Sequence, residues 1–229
     1  MYEKTADESA WFTYDVVAED PTTHARAGGL HTPHGDVPTP IFMPVGTKAT
    51  VKGILPDTLR QLDAKIVLAN TYHLSQRPGA DLVAQMGGLH EFMRWDRPIL
   101  TDSGGFQAFS HEEFFRLSDG GVRFRAVDYD GSWVTWTPEL SAMWAERCLA
   151  AHTRKDQALF GIVQGGMHLD LRLRSLQHLL DAGDFPGFGI GGYSVGEDHE
   201  TMFETLAPLV GEHMPRDRPR YLMGVGNPT

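Results

Sequence analysis

The chain has 229 residues, 41% hydrophobic and 22% charged, a composition that suits a globular protein with a sizeable core in one large domain or two small ones. Its formal net charge of -10 argues against broad adhesion to a polyanion, because that affinity comes from neutralised phosphates, and leaves room for a local basic patch facing RNA. A single cysteine, Cys148, excludes an intramolecular disulfide and a multi-cysteine metal site and fits a reducing cytoplasm, while the N-terminal MYEKTADESAWFTYDV has no apolar run suited to a secretory signal or a membrane span.

Along the chain a unit recurs in which a brief apolar run ends in Gly and polar residues and an amphipathic stretch follows. The runs are IFMPVGT (Ile41 to Thr47), KIVLANTYH (Lys65 to His73), PILTDSGG (Pro98 to Gly105), ALFGIVQGG (Ala158 to Gly166), FGIGGYSVGE (Phe188 to Glu197) and YLMGVGNP (Tyr221 to Pro228). Between them, PDTLRQLDA (Pro56 to Ala64) places Pro at a helix's first turn, and HLDLRLRSLQHLLDAG ends on Gly183 as a helix C-cap does. Short apolar strands alternating with amphipathic helices predict an α/β fold with parallel strands buried on both faces. No dinucleotide fingerprint opens the first unit, and several successive strands carry polar tips. These features favour an (β/α)8 barrel over a doubly wound sheet. GVRFRAVDYDGSWVTWTPE (Gly121 to Glu139) breaks the rhythm: it alternates and turns at Asp130-Gly131, predicting an inserted antiparallel hairpin near 121–136, after which Thr137-Pro138-Glu139 starts a helix reaching His152.

Function is expected where the strands end. Asp102 follows Ile99, Leu100 and Thr101, so a carboxylate emerges at a strand mouth beside Ser103, Gly104 and Gly105, whose small side chains let a flat ligand reach the backbone. Read alone, the acid equally suits a cap of the next turn. Gln164 repeats the arrangement with an amide able to donate and accept, and Gly191, Gly192 and Tyr193 repeat it with backbone groups and an aromatic face. Three such strand ends point to one pocket for a planar, hydrogen-bonding ligand, against the plainer reading of three tight turns. His31 and His34 flank Pro33 in a turn rather than a metal site, His73 reads as a satisfied loop histidine, and Lys48 and Lys52 as surface lysines. No GxSxG, Walker A or GxGxxG sequence is present.

Taken together, HGDVPTPIFMPVGTKATVKG, IVLANTYHLSQRPG, GGLHEFMRWDRPILTDSGGFQ, ALFGIVQGG, GGYSVGE and RYLMGVGNP resemble the tRNA-guanine transglycosylases, also called queuine tRNA-ribosyltransferases. The resemblance implies a zinc-containing (β/α)8 barrel of the cytoplasm, commonly dimeric. It implies exchange of the wobble guanine of tRNA with a GUN anticodon for a 7-deazaguanine such as preQ1 or queuine, in queuosine biosynthesis, through a covalent ribosyl-enzyme. Carried onto this sequence, it makes Asp102 the carboxylate that binds the base and moves protons. Ser103, Gly104, Gly105 and Phe106 become the floor and stacking face, Gln164 the amide that reads the base, and Gly191, Gly192 and Tyr193 further base contacts. Gly224, Val225, Gly226, Asn227, Pro228 and Thr229 begin a loop that touches tRNA.

The chain also departs from the family pattern. A strand of the form LGxDIxMxFDEC, whose aspartate recognises guanine, is missing where TPELSAM joins WAERCLAAHTR, and Asp156 in TRKDQ reads as a connector rather than a substitute. The family's FDCxxPTR nucleophile and its zinc ligands, three cysteines and a histidine, have no counterpart among these residues. The expectation is a single partial barrel domain over 1–229 with about six of eight strands, inactive alone for want of a nucleophile. The alternatives are a noncatalytic base- or RNA-binding relative or partner subunit, and a different barrel enzyme acting on a planar heterocycle.

Overall fold

A computed structural model of the chain describes residues 11–103, the strands at 115–118, 121–125 and 133–136, and residues 138–194 and 196–225; between 115 and 142 only backbone elements are described. Gly104, Gly105 and Phe106 lie outside the described residues, as do Gly226, Asn227, Pro228 and Thr229.

The chain begins with a three-stranded antiparallel sheet, β1 (Thr13–Glu19), β2 (Arg26–Thr32) and β3 (Gly35–Thr39), in that spatial order. The β1–β2 turn is fixed by Asp20, whose carboxylate accepts from the Thr22 and Thr23 amides at 2.7 and 3.0 Å and from the Thr22 hydroxyl at 2.6 Å. These donors stabilise the anion and hold its pKa down at about 2. The β2–β3 turn carries Pro33, as expected, and separates its two imidazoles: His31 lies between the carboxylates of Asp15 and Asp36 at 3.2 and 2.8 Å, while His34 stacks on His90 with ring centres 3.6 Å apart.

Two parallel sheets follow. The first pairs β4 (Val67–Asn70) with β5 (Ile99–Asp102), separated by α2 (Thr71–Gln76), α3 (Ala80–Gln85) and α4 (Leu89–Met93), and preceded by α1 (Pro56–Gln61). The second orders β11 (Arg220–Leu222), β10 (Phe188–Ile190) and β9 (Gly161–Val163), linked by α6 (Leu169–Ala182) and by α7 (His199–Pro208), which runs on into a π turn at Leu209–His213. Between the sheets lie the antiparallel strands β6 (Phe115–Ser118), β7 (Gly121–Arg125) and β8 (Trp133–Trp136), then α5 (Pro138–Ala151). The hairpin expected near 121–136 is β7 and β8, with Val122 opposite Trp136 and Arg125 opposite Trp133.

One expectation needs correction. IFMPVGT contributes one isolated bridge, Val45 to Leu68, rather than a strand. Pro40 and Pro44 lack the N–H groups a ladder needs, so the segment is tied at single points, with Leu68 donating to Pro44 O at 2.9 Å and Gly46 donating to Leu68 O at 2.6 Å. Among the described residues the parallel strands form two separate sheets, not a closed barrel. What the structure establishes is a mixed α/β fold.

Each sheet has its own core. Behind β9 and β10, Val163, Ile190 and Phe188 pack with Leu176 and Leu179 of α6 and with Met202 and Leu206 of α7. Behind β4, Val67 and Ala69 pack with Leu59, Leu74, Met93 and Trp95. Trp95 is the keystone of this second core: it is buried, its indole N–H donates to Pro98 O at 3.1 Å just before β5, and the Arg60 and Arg97 guanidinium groups lie 5.5 and 5.8 Å from its ring centre. Trp95→Ala is expected to cost about 3–5 kcal/mol through the cavity and the lost anchor of β5. Urea unfolding will register this as a lower midpoint at unchanged slope.

Candidate functional site

A cavity of about 610 Å³ opens at the C-terminal ends of the parallel strands, within the usual size for a small-molecule site. It gathers Asp102 and Ser103 from β5, Gln164 from the end of β9, Gly191, Gly192 and Tyr193 from the end of β10, and Gly224 and Val225 from beyond β11. Every expected site residue that the structure describes therefore meets the same space. Lys48, Lys52 and His73 are not among the residues lining it, and Asp156 pairs with Arg154 at 2.5 Å on the surface. Leu30, Val37 and Thr39 of the N-terminal sheet also line the cavity, a contribution the sequence reading missed.

Asp102 is placed by register. The parallel pairing that sets Val67 against Ile99 ends by setting Asn70 against Asp102. Asn70 is buried and caps α2, its side-chain oxygen accepting from the His73 amide at 3.2 Å, while its side-chain amide donates to Asp102 Oδ2 over a long 3.4 Å. Tyr221 lines the same cavity, and burial, together with the negative charge of Asp102, pushes its phenol up to about 12. The phenol thus stays protonated at neutral pH, a standing O–H donor.

Gln164 and the Gly191-Gly192 pair interlock. A Cβ on Gly191 would sit 2.8 Å from Gln164 Nε2, and one on Gly192 would sit 3.0 Å from Gln164 Oε1, where φ of +72° also disfavours any side chain. These glycines thus make room for the Gln164 amide, a role additional to the ligand access expected of them. The Gln164 backbone N–H donates to Ser175 Oγ of α6 at 3.0 Å, fixing the start of the turn.

Tyr193 differs from expectation. Its ring is buried, one face is covered by the Arg172 guanidinium 3.6 Å from the ring centre, and its hydroxyl meets Thr205 Oγ1 at 2.9 Å. The aromatic face expected to receive a ligand is therefore engaged within the protein on at least that side. Arg172, Asn70, Tyr221 and Met223 are site neighbours that the sequence reading passed over. Arg172 had a signal: it occupies the buried stripe of α6 with Leu176 and Leu179, at the spacing where an apolar residue belongs.

Among the described residues no three His, Cys, Asp or Glu side chains converge to hold a metal ion, and Cys148 is exposed. The described residues therefore do not fit a zinc ion. No helix among them is long and apolar enough to cross a membrane.

The sequence model of the family described as queuine tRNA-ribosyltransferase matches residues 20–142 and 139–229. Relatives named queuine tRNA-ribosyltransferase include one from Ruminiclostridium cellulolyticum, 48% identical over 255 residues covering 94% of this chain and 67% of the relative. Another from Moorella thermoacetica is 48% identical over 251 residues, covering 94% and 66%, and one from Desulforamulus reducens is 50% identical over 241 residues, covering 90% and 64%. The chain thus spans about two thirds of the length of these relatives. Each alignment is longer than the 229 residues of the chain, so each relative has internal residues without a counterpart here. The two family matches overlap at residues 139–142, just before the junction of Met143 and Trp144 at which the internal loss was expected. Matched from residue 20 to residue 229 and at about half identity to these relatives, the chain belongs to the queuine tRNA-ribosyltransferase family.

Proposed function

We propose that this chain is the base-binding portion of a transferase that exchanges guanine at the wobble position of tRNA with a GUN anticodon for a 7-deazaguanine, in queuosine biosynthesis in the cytoplasm. The observation that carries the reading is the convergence of Asp102, Gln164 and the Gly191-Gly192 turn, distant in sequence, on one cavity at parallel strand ends. β4 and β5 on one side and β9, β10 and β11 on the other are then arcs of an incomplete (β/α)8 barrel, whose sites lie at that end of the strands. Gly224 and Val225 at the cavity edge begin the tRNA-facing loop that runs on through Gly226, Asn227, Pro228 and Thr229. Zinc and a second copy of the chain belong to the family's expected assembly.

Guanine suits this lining because it is flat and carries both donors and acceptors on its edges. The Gln164 amide reads one edge with one donor and one acceptor, and backbone groups at Gly192 read the adjoining one. Asp102 accepts from ring or exocyclic N–H groups and holds the proton that changes hands as one base leaves and another enters. The protonated Tyr221 phenol lines the same cavity and offers the base a further neutral donor. Gly104, Gly105 and Phe106 complete the pocket in this reading.

Exchange with retention needs a second carboxylate. Its oxygen bonds to ribose C1′ as the bond from C1′ to guanine breaks, and the incoming base then loses a ring proton and displaces that ester. Among the described residues lining the cavity, Asp102 is the one carboxylate. These residues accordingly serve base binding and proton handling, not formation of the ribosyl ester.

Two measurements test this. Purified chain incubated with labelled guanine and unmodified tRNA is expected to bind guanine saturably and to incorporate none above background. Asp102→Asn should weaken guanine binding roughly 10- to 100-fold, as expected for a lost charged hydrogen bond of about 1.5–3 kcal/mol. Incorporation would demand a nucleophile elsewhere in the chain, and the absence of binding would refute the pocket. Independently, Asp102→Asn removes the negative charge that helps raise the Tyr221 pKa, so this phenol should titrate below its wild-type value of about 12. Tyrosinate absorbance, with Tyr221→Phe as the reference, reads this shift.

A further inference from the structure

We propose that Arg172 is a positioning residue for the bound base. It grips the turn after β10 from behind, so that the backbone N–H groups of Gly192 and Tyr193 face the cavity as a donor pair for the exocyclic oxygen of a guanine-like base. This rests on the base-pocket reading above and names the element that gives the pocket its oxygen recognition.

Arg172 is fully buried on α6, and its guanidinium donates to backbone carbonyls rather than lining the cavity: Nε to Gly166 O at 2.7 Å, one terminal nitrogen to Gly191 O at 3.0 Å and the other to Gly192 O at 3.4 Å. One rigid fork thus ties the turn that follows Gln164 to the turn that carries Gly191 and Gly192. In a trans peptide the C=O and the next N–H point in opposite directions. With the carbonyls of Gly191 and Gly192 turned to Arg172, the N–H groups of Gly192 and Tyr193 are turned away from it. The three residues Gly191, Gly192 and Tyr193 line the cavity and Arg172 does not, so away from Arg172 is toward the cavity.

The preceding amide is already committed, since Gly191 N–H donates to Val163 O at 3.0 Å in the sheet. Among the described residues, neither the Gly192 nor the Tyr193 N–H donates a hydrogen bond. The grip is braced on two sides. The Tyr193 ring lies 3.6 Å beneath the guanidinium and is held through its hydroxyl by Thr205 of α7. Gly165, where a Cβ would fall 2.6 Å from the Arg172 backbone nitrogen, lets the first turn of α6 come close enough for the fork to reach. Two adjacent N–H donors suit a carbonyl oxygen, and guanine has one exocyclic oxygen where 2-aminopurine has none.

The test compares guanine with 2-aminopurine binding to the full chain, by calorimetry. Wild type should prefer guanine by tenfold or more, and R172K, which keeps the charge but loses the fork, should bring the ratio close to one chiefly by weakening guanine. Leu179→Ala, on the same buried stripe but without a bond to either turn, should lower the melting temperature and leave the ratio unchanged. Amide hydrogen exchange at Gly191, whose N–H is held by Val163 O and whose carbonyl Arg172 grips, should quicken in R172K with no base present. Thr205→Val, which removes the brace on Tyr193 and keeps Arg172, should move ratio and exchange the same way by less, and it carries the test if R172K does not fold. A ratio that survives in R172K, or that collapses equally in Leu179→Ala, overturns the proposal. Unchanged amide exchange overturns the grip even where guanine binds, and wild type binding neither base overturns the underlying pocket while the exchange arm still judges the grip.

Discussion

Register in the two parallel sheets is the constraint on which the rest of the molecule depends. Strand side chains alternate between faces, so a slip of one residue would carry Asp102 from the cavity side of β5 to the other side. The slip is opposed by burial: Val67 and Ala69, two apart on β4, are fully buried, and Val163 and Ile190 are nearly so in the other sheet. In that sheet Val163, Ile190 and Leu222 stand in one row, and the residues that follow them, Gln164, Gly191 and Met223, all line the cavity. Apolar packing thus sets the height at which each chain leaves its sheet, and the polar groups inherit that height without any contact among themselves having to specify it.

Where a ladder stops, the backbone groups beyond it need new partners. In this protein helices following the strands supply them. Asn70 ends β4 and caps α2, Ser175 on α6 accepts from the Gln164 N–H, and Arg172 on α6 takes carbonyls from two turns. Arg220 has the same role at the opposite end of β11, donating to Val210, Met214 and Pro215 carbonyls at 2.8–3.0 Å. Burial, reinforced by the positive charge of Arg26, lowers its pKa to about 10, which still leaves it charged at neutral pH. Buried guanidinium groups that spend their donors on carbonyls act as cross-links between loops, and at Arg172 the Tyr193 ring offsets part of the desolvation. The arrangement keeps the Arg172 charge behind the turn, and among the described residues the charged side chains lining the cavity are Asp102 and Arg220.

Much of this was legible because a continuous apolar run that breaks on a polar residue marks both a buried strand and its mouth. Five of the six runs hold strands, and the polar residue after the break at Asp102 or Gln164 is the one in the cavity. The run that failed contains Pro44 and follows directly on Pro40, and weighting the lost donors above the hydrophobicity would have demoted it. The N-terminal sheet left little trace because TYDVVAE is largely exposed and RAGGLHT has few large apolar residues to alternate. Tyr221 and Met223 were hidden inside a strand-like run, where an aromatic or a methionine passes for filling. Arg172 was hidden differently, since a charge on an amphipathic helix is ordinarily solvated and only its place on the Leu176–Leu179 stripe says otherwise.

The internal shortening and the division of the parallel strands fall at the same place. The two family matches meet at 139–142, at the start of α5, and the sheets that remain unjoined are those of β5 before it and β9 after it. The neighbouring residues Met143 and Trp144 on α5 are 44% and 54% exposed, with Arg147 lying 5.2 Å over the indole. The same gap bears on chemistry. Among the described residues no ladder joins β5 to β9, so Asp102 and Gln164 reach the cavity from separate sheets. The placing of the site residues then depends on the strand ends that remain paired, and above all on the β9–β10 corner that Arg172 ties together.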